Sequence, residues 1–142
     1  MQKNEALLSL GLLLLRLGFG GLMLTHGIPK LMNYATLATQ FPDPLGVGSQ
    51  VSVLLAIGAE VGCASLLILG LFTRLATIPL IITMLVAAFI VHGGDPLSKK
   101  EAAITYLIPY LVLLLTGPGR FACDRWLAPL FARGRKSEGL AD

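Results

Sequence analysis

The chain has 142 residues, 55% of them hydrophobic and 13% charged, with a net charge of +3. The charged share is about half that of a water-soluble domain, and Leu-rich runs this long leave too little polar sequence to cover them in one soluble core. The basic residues sort by position along the chain and form no groove-like patch, which excludes a nucleic-acid partner from the reading.

Lys3 leads into a first apolar stretch, Ala6–Thr25. Such a run is about twice the length of a signal-peptide core; it also contains Arg16 and is followed by no small-x-small cleavage site. It reads as an uncleaved transmembrane helix, since about 20 helical residues span the roughly 30 Å hydrocarbon core. Gly and Pro in His26-Gly27-Ile28-Pro29 are expected to end it. The segment Lys30–Gln50 is the longest without a span. Within it, Met32–Gln40 suits a short interfacial helix and Phe41-Pro42-Asp43-Pro44-Leu45-Gly46 is loop chemistry.

The second stretch, Val51–Phe72, holds Glu60 and a small-xxx-small pair, Gly58 and Gly62, suited to packing within the chain. The short Thr73-Arg74 turn forces an antiparallel hairpin with the third stretch, Leu75–Val91, where Pro79 falls near the first turn. His92-Gly93-Gly94-Asp95-Pro96 closes that helix. Ser98-Lys99-Lys100-Glu101 opens the fourth stretch, Ala102–Thr116, with Pro109 expected to kink it and Gly117-Pro118-Gly119 to stop it. The predicted fold is an all-α membrane protein, a four-transmembrane-helix antiparallel bundle over residues 1–127, followed by a basic, flexible tail over 128–142.

With four spans both termini share a side. Lys3, Arg74, Arg120, Arg125, Arg133, Arg135 and Lys136 lie on it, against Lys30, Lys99 and Lys100 opposite. The positive-inside rule therefore puts both termini in the cytoplasm, with Trp126 positioned as an interfacial anchor. Cys63 and Cys123 fall at different depths and form no disulfide in this reading. Without a CxxC or Cys/His spacing, no metal site and no thiol-redox site are expected.

Depth then suggests which polar residues meet. Counted from the expected outer helix ends, Arg16 and Glu60 lie about 13–15 Å down, and Thr83 and Tyr110 reach a similar level. In the plainer account Arg16 and Glu60 form a salt bridge that makes insertion tolerable. In the sharper one the four residues line a ligand or proton site, because ionisable groups inside a membrane are costly and buried pairs add little stability. An outer rim of His26, Lys30, His92 and Glu101, joined by Asp95 and Lys99, would form the mouth. Two histidines at matched depth also suit haem, but helix-end histidines more often cap carbonyls or face water, so haem is disfavoured.

Several fragments recur here in a recognisable order: Arg16-x-Gly18-Phe19, His26-Gly27-x-x-Lys30-Leu31, Glu60-x-Gly62, Leu69-Gly70-Leu71-Phe72-Thr73-Arg74 and Leu115-x-Gly117-Pro118-Gly119-Arg120-Phe121-x-x-Asp124. Together, from about Leu12 to Leu127, they resemble the DoxX family of small bacterial membrane proteins. Ala122-Cys123 stand where that family often has Ser-Leu, so no serine hydroxyl acts at this turn.

The resemblance implies a four-helix bundle in the bacterial cytoplasmic (inner) membrane. The family takes its name from a subunit of a thiosulfate:quinone oxidoreductase, and relatives are tied to oxidative-stress responses. By that analogy the chain is a subunit or accessory protein of a membrane redox system and not a free-standing enzyme. Quinone is then the candidate ligand, and no other cofactor is expected. The lipid bilayer, a membrane or soluble redox protein, and a second copy of the chain are its candidate partners. The alternative class is a non-enzymatic scaffold or a small-solute permeability protein.

Overall fold

The computed structural model describes residues 2–129, and within them all regular structure is helical. The order is α1 (Gln2–Met32), α2 (Tyr34–Gln40), α3 (Ser49–Leu69), α4 (Thr73–Val91) and α5 (Leu97–Thr116), then a short helical turn over residues 124–129. Most of the expected tail lies outside the described residues.

Three of these helices are long and apolar enough to cross a membrane: α1 from Lys3, α3 and α4, with mean hydropathies of 2.0, 2.2 and 2.2. No more than a third of each apolar window (28%, 28% and 33%) is buried inside the protein. The rest faces outward, with Leu14, Leu22, Leu55, Leu75 and Phe89 among the exposed side chains, as lipid contact requires. The expected fourth span, α5, is less clear by this measure, because Lys99, Lys100 and Glu101 occupy its opening turns.

The helices surround a core of Leu12, Met23, Leu67, Leu80, Met84, Tyr106, Tyr110 and Leu113, with α5 packed most extensively on α4.

Two features depart from expectation. First, α1 does not stop at His26-Gly27-Ile28-Pro29 but runs on to Met32. The proline removes only the donor to the Thr25 carbonyl, and the turn after it holds: Asn33 N and Asn33 Nδ2 both donate to the Pro29 carbonyl, at 3.0 and 2.9 Å. Gly27 is a contact point and not a breaker. A Cβ there would lie 2.8 Å from the Glu60 backbone carbon and Cβ, so the glycine allows α1 and α3 to touch.

Second, α3 and α4 each contain a π-helical segment, Gly58–Cys63 and Val86–Val91. Such wide turns insert an extra residue and recur at functional sites. Pro79 falls at the seventh residue of α4, deeper than expected.

The end at which α3 turns into α4 is tied together by hydrogen bonds. Gly70 ends α3 in the left-handed region (φ 71), and Phe72 follows at φ 47. The Asp124 carboxylate accepts from the backbone N–H of Phe72 at 2.7 Å and of Thr73 at 3.3 Å, capping α4. Arg120 N donates to Ser9 Oγ at 3.2 Å. Trp126, the expected interfacial anchor, is 83% exposed beside this knot.

At the opposite end the loop between α2 and α3 is organised by Asp43, whose carboxylate accepts from Val47 N (2.9 Å), Gly48 N (2.8 Å) and Ser52 Oγ (2.9 Å). These bonds, the one from Gly48 foremost, hold its pKa below the ordinary carboxylate value. A lowered folded-state pKa stabilises the loop above the ordinary value, and that stabilisation is lost as pH falls through the lower one. Amide exchange at Val47 and Gly48 should therefore be slow at neutral pH and speed up in Asp43→Asn; equal exchange in both proteins would remove Asp43 as the organiser.

Candidate functional site

Gly27 brings α1 onto the first π turn, and one helical turn further along the same face Lys30 reaches across to Glu60. Nζ and Oε2 are 2.5 Å apart, with 25% of the Lys30 side chain and 7% of the Glu60 side chain exposed. The long Lys30 stem carries its charge back along α1, where Nζ also reaches the His26 carbonyl at 3.4 Å.

The pair sits at the edge of a cavity of about 480 Å³. Its walls are apolar: Leu55, Ala56 and Ala59 from α3, Ile82, Val86 and Val91 from α4, and Phe41, Pro42, Pro44 and Leu45 from the loop that Asp43 organises. Polar groups are few. Thr83 lines the cavity with its hydroxyl donating to the Pro79 carbonyl at 2.8 Å, and Ser52 is tied to Asp43. An apolar chamber with one ion pair at its edge suits a lipid-soluble molecule with a polar end.

Lys30, Glu60, Ala87 and His92 also border a second cavity, of about 230 Å³, on the side of α5. His26, Lys99 and Tyr106 join them there. His92 Nδ1 lies 2.8 Å from Asp95 Oδ2, and that hydrogen bond is the largest of the influences lowering the Asp95 pKa. Tyr106 packs edge-on against Phe19 and His26 and stacks on Tyr110.

The predicted polar layer is therefore divided. Glu60 and Thr83 share the larger cavity; Arg16 and Tyr110 line neither. The expected Arg16–Glu60 salt bridge is not formed, since Glu60 pairs with Lys30. Arg16 is fully buried beside Gly70 and donates from Nη2 to the Phe121 carbonyl at 2.7 Å, while its Nε and Nη1 have no partner among the described residues. Tyr110 donates to the Phe19 carbonyl at 3.2 Å. The cause is the true length of α1. Glu60 lies against Gly27, and Arg16, eleven residues back, is about 16 Å away along the axis.

Of the predicted rim, His26, Lys30 and His92 border the smaller cavity, whereas Glu101 is exposed and lines neither. Among the described residues no three His, Cys, Asp or Glu converge to hold a metal ion. The sequence reading missed the Lys30 pairing and the Phe121 acceptor. The signal for the first was Gly27-x-x-Lys30 itself, an i, i+3 spacing that shares a face only if the helix persists.

The DoxX family profile matches residues 11–93, more than half of the chain and all of the Lys30–Glu60 region. The chain belongs to the DoxX family. This DoxX-family chain is also 28% identical to a protein of Mycobacterium tuberculosis described as an uncharacterized membrane protein, over 80% of this chain and 79% of that one. No solved structure matches it.

Proposed function

We propose that this is a four-span subunit or accessory protein of a bacterial cytoplasmic-membrane redox system, holding a lipid-soluble ligand whose polar end meets Lys30 and Glu60. Quinone is the first candidate. The observation that carries the reading is the ion pair at the edge of an apolar cavity bounded by α3, α4 and the Asp43 loop.

Quinone chemistry fits that donor set. The Lys30 ammonium can donate to a carbonyl oxygen, Glu60 can hold or release a proton beside it, and Leu55, Ile82 and Val86 offer an apolar wall to an isoprenoid chain. A bound quinone would supply the electron-accepting ring that the chain's own side chains lack. Electrons would then come from a partner protein.

The test is a thermal scan of purified protein with a short-chain quinone, beside mass spectrometry of its extracted lipids. A saturable rise in melting temperature is expected, together with a co-purifying isoprenoid quinone. Ile82→Trp, which fills the cavity from a half-exposed position and leaves the ion pair intact, should abolish the rise without lowering the starting stability. Absence of both quinone and shift would leave the scaffold reading ahead.

The orientation we infer has both termini cytoplasmic, from the excess of Lys and Arg at that end. A cysteine placed at Gly46 should react with a membrane-impermeant reagent added to intact cells, and one at Ser137 should not. The reverse pattern would invert the molecule.

A further inference from the structure

We propose that the smaller cavity is a binding site for a compact anionic oxygen group, a phosphate or a carboxylate, separate from the apolar chamber and sharing one wall with it. Its lining is rich in donors and poor in acceptors. His26, Lys30, His92, Lys99 and Tyr106 converge on it from α1, the end of α4 and α5. Glu60 is the one carboxylate in the lining, and it is already engaged by Lys30 at 2.5 Å.

Of the remaining donors, His92 is held by Asp95 at 2.8 Å, and the other three are poorly used. Among the described residues nothing hydrogen-bonds the Tyr106 hydroxyl, although Tyr106 is 8% exposed and lines the cavity. The His26 ring makes an edge-on aromatic contact with Tyr106 and no hydrogen bond to a described residue. Lys99 has its nearest carboxylate, Asp95, 3.9 Å away and outside the lining. A neutral ligand would satisfy these donors one at a time. An anion would satisfy them together, because charge-assisted hydrogen bonds are about twice as strong as neutral ones. It would also compete with Glu60 for Lys30. If the lipid-soluble ligand of the neighbouring chamber uses that lysine, as proposed above, each occupant changes the affinity of the other by the same factor.

The experiment uses the full chain in a neutral detergent, without quinone, and titrates inorganic phosphate at an ionic strength held constant with chloride. A saturable rise in melting temperature is expected. Lys99→Gln should raise the half-saturating concentration about tenfold, the loss of one charge-assisted contact. Lys100→Gln should leave it unchanged, since Lys100 is turned to the Gly93 carbonyl. A second arm compares nanodiscs of phosphatidylcholine with and without phosphatidylglycerol. Stabilisation that requires the anionic lipid, fails with phosphate and weakens in Lys99→Gln identifies a lipid headgroup as the source of the same chemistry. The proposal is overturned if neither phosphate nor phosphatidylglycerol stabilises saturably, or if Lys99→Gln and His26→Gln leave the titration unaltered. Because the phosphate arm contains no quinone, its failure is distinct from failure of the quinone titration.

Discussion

Glu60→Gln should destabilise the protein by about 2–3 kcal/mol, somewhat below the 3–5 kcal/mol typical of breaking a fully buried pair, because Lys30 keeps a quarter of its side chain exposed. The cost is that of a partly buried ammonium left without its carboxylate. Lys30→Met should cost a similar amount for the reciprocal reason, and Lys30→Met/Glu60→Leu should recover much of the loss, since neither charge then remains to be compensated. Arg16 supplies the contrast. It shares no partner with Glu60, so the losses of Arg16→Gln and Glu60→Gln should add. Denaturation in mixed micelles of these four variants and of Arg16→Gln/Glu60→Gln would measure both couplings; additive losses for Lys30 with Glu60, or strong coupling of Arg16 to Glu60, would reverse the assignment of partners. If the ligand reading holds, Glu60→Gln protein that still accumulates in the membrane should fail to complement a deletion strain.

Gly70→Ala should be more damaging still, about 4 kcal/mol or more. Two effects combine. The residue sits at φ 71, where a side chain costs roughly 1–2 kcal/mol. Its new Cβ would also collide with Arg16 Nη1 and lie 2.8 Å from Ala122 Cβ, displacing a buried guanidinium from its acceptor. Gly46 separates the two terms, because it has the same backbone sign (φ 70) and open space around it. Gly46→Ala should therefore cost only the backbone term. Adding Arg16→Met to Gly70→Ala should give a loss smaller than the sum of the two. Equal effects at Gly70 and Gly46 would show that Arg16 does not depend on the gap.

Length and apolar run were enough to read α1, α3 and α4 as spans, and the turn residues placed the α3–α4 hairpin and the Asp43 loop correctly. The site was harder to read, for a specific reason. The expected depths count from an outer helix end at Gly27 and Pro29, and these residues have other work. Gly27 admits the neighbouring helix, and Asn33 bonds the Pro29 carbonyl from its backbone and its side chain. With that origin displaced, Arg16 and Glu60 come out level, whereas Glu60 lies midway along α3 and the Arg16 guanidinium beside Gly70 at its end. The π turns left no legible mark, since an inserted residue shifts the helical phase without any characteristic residue type. Asp124 stood in a recognisable fragment, but its role as the cap of α4 depends on a contact 52 residues away in sequence. Local pattern carries no information of that kind.

The tie between Arg16 and Phe121 spans 105 residues of chain, which has a consequence for biosynthesis. The guanidinium is delivered to the bilayer with the first helix, whereas its acceptor carbonyl is among the last groups the ribosome adds to the bundle. At elongation speeds of up to about 20 residues per second, the interval is on the order of five seconds, far longer than helices need to form and meet. Throughout it Arg16 Nη2 lacks the acceptor that it has in the finished bundle. A chain broken off before Phe121 never gains that acceptor, so the contact that closes the finished bundle is also one that no shorter copy can make.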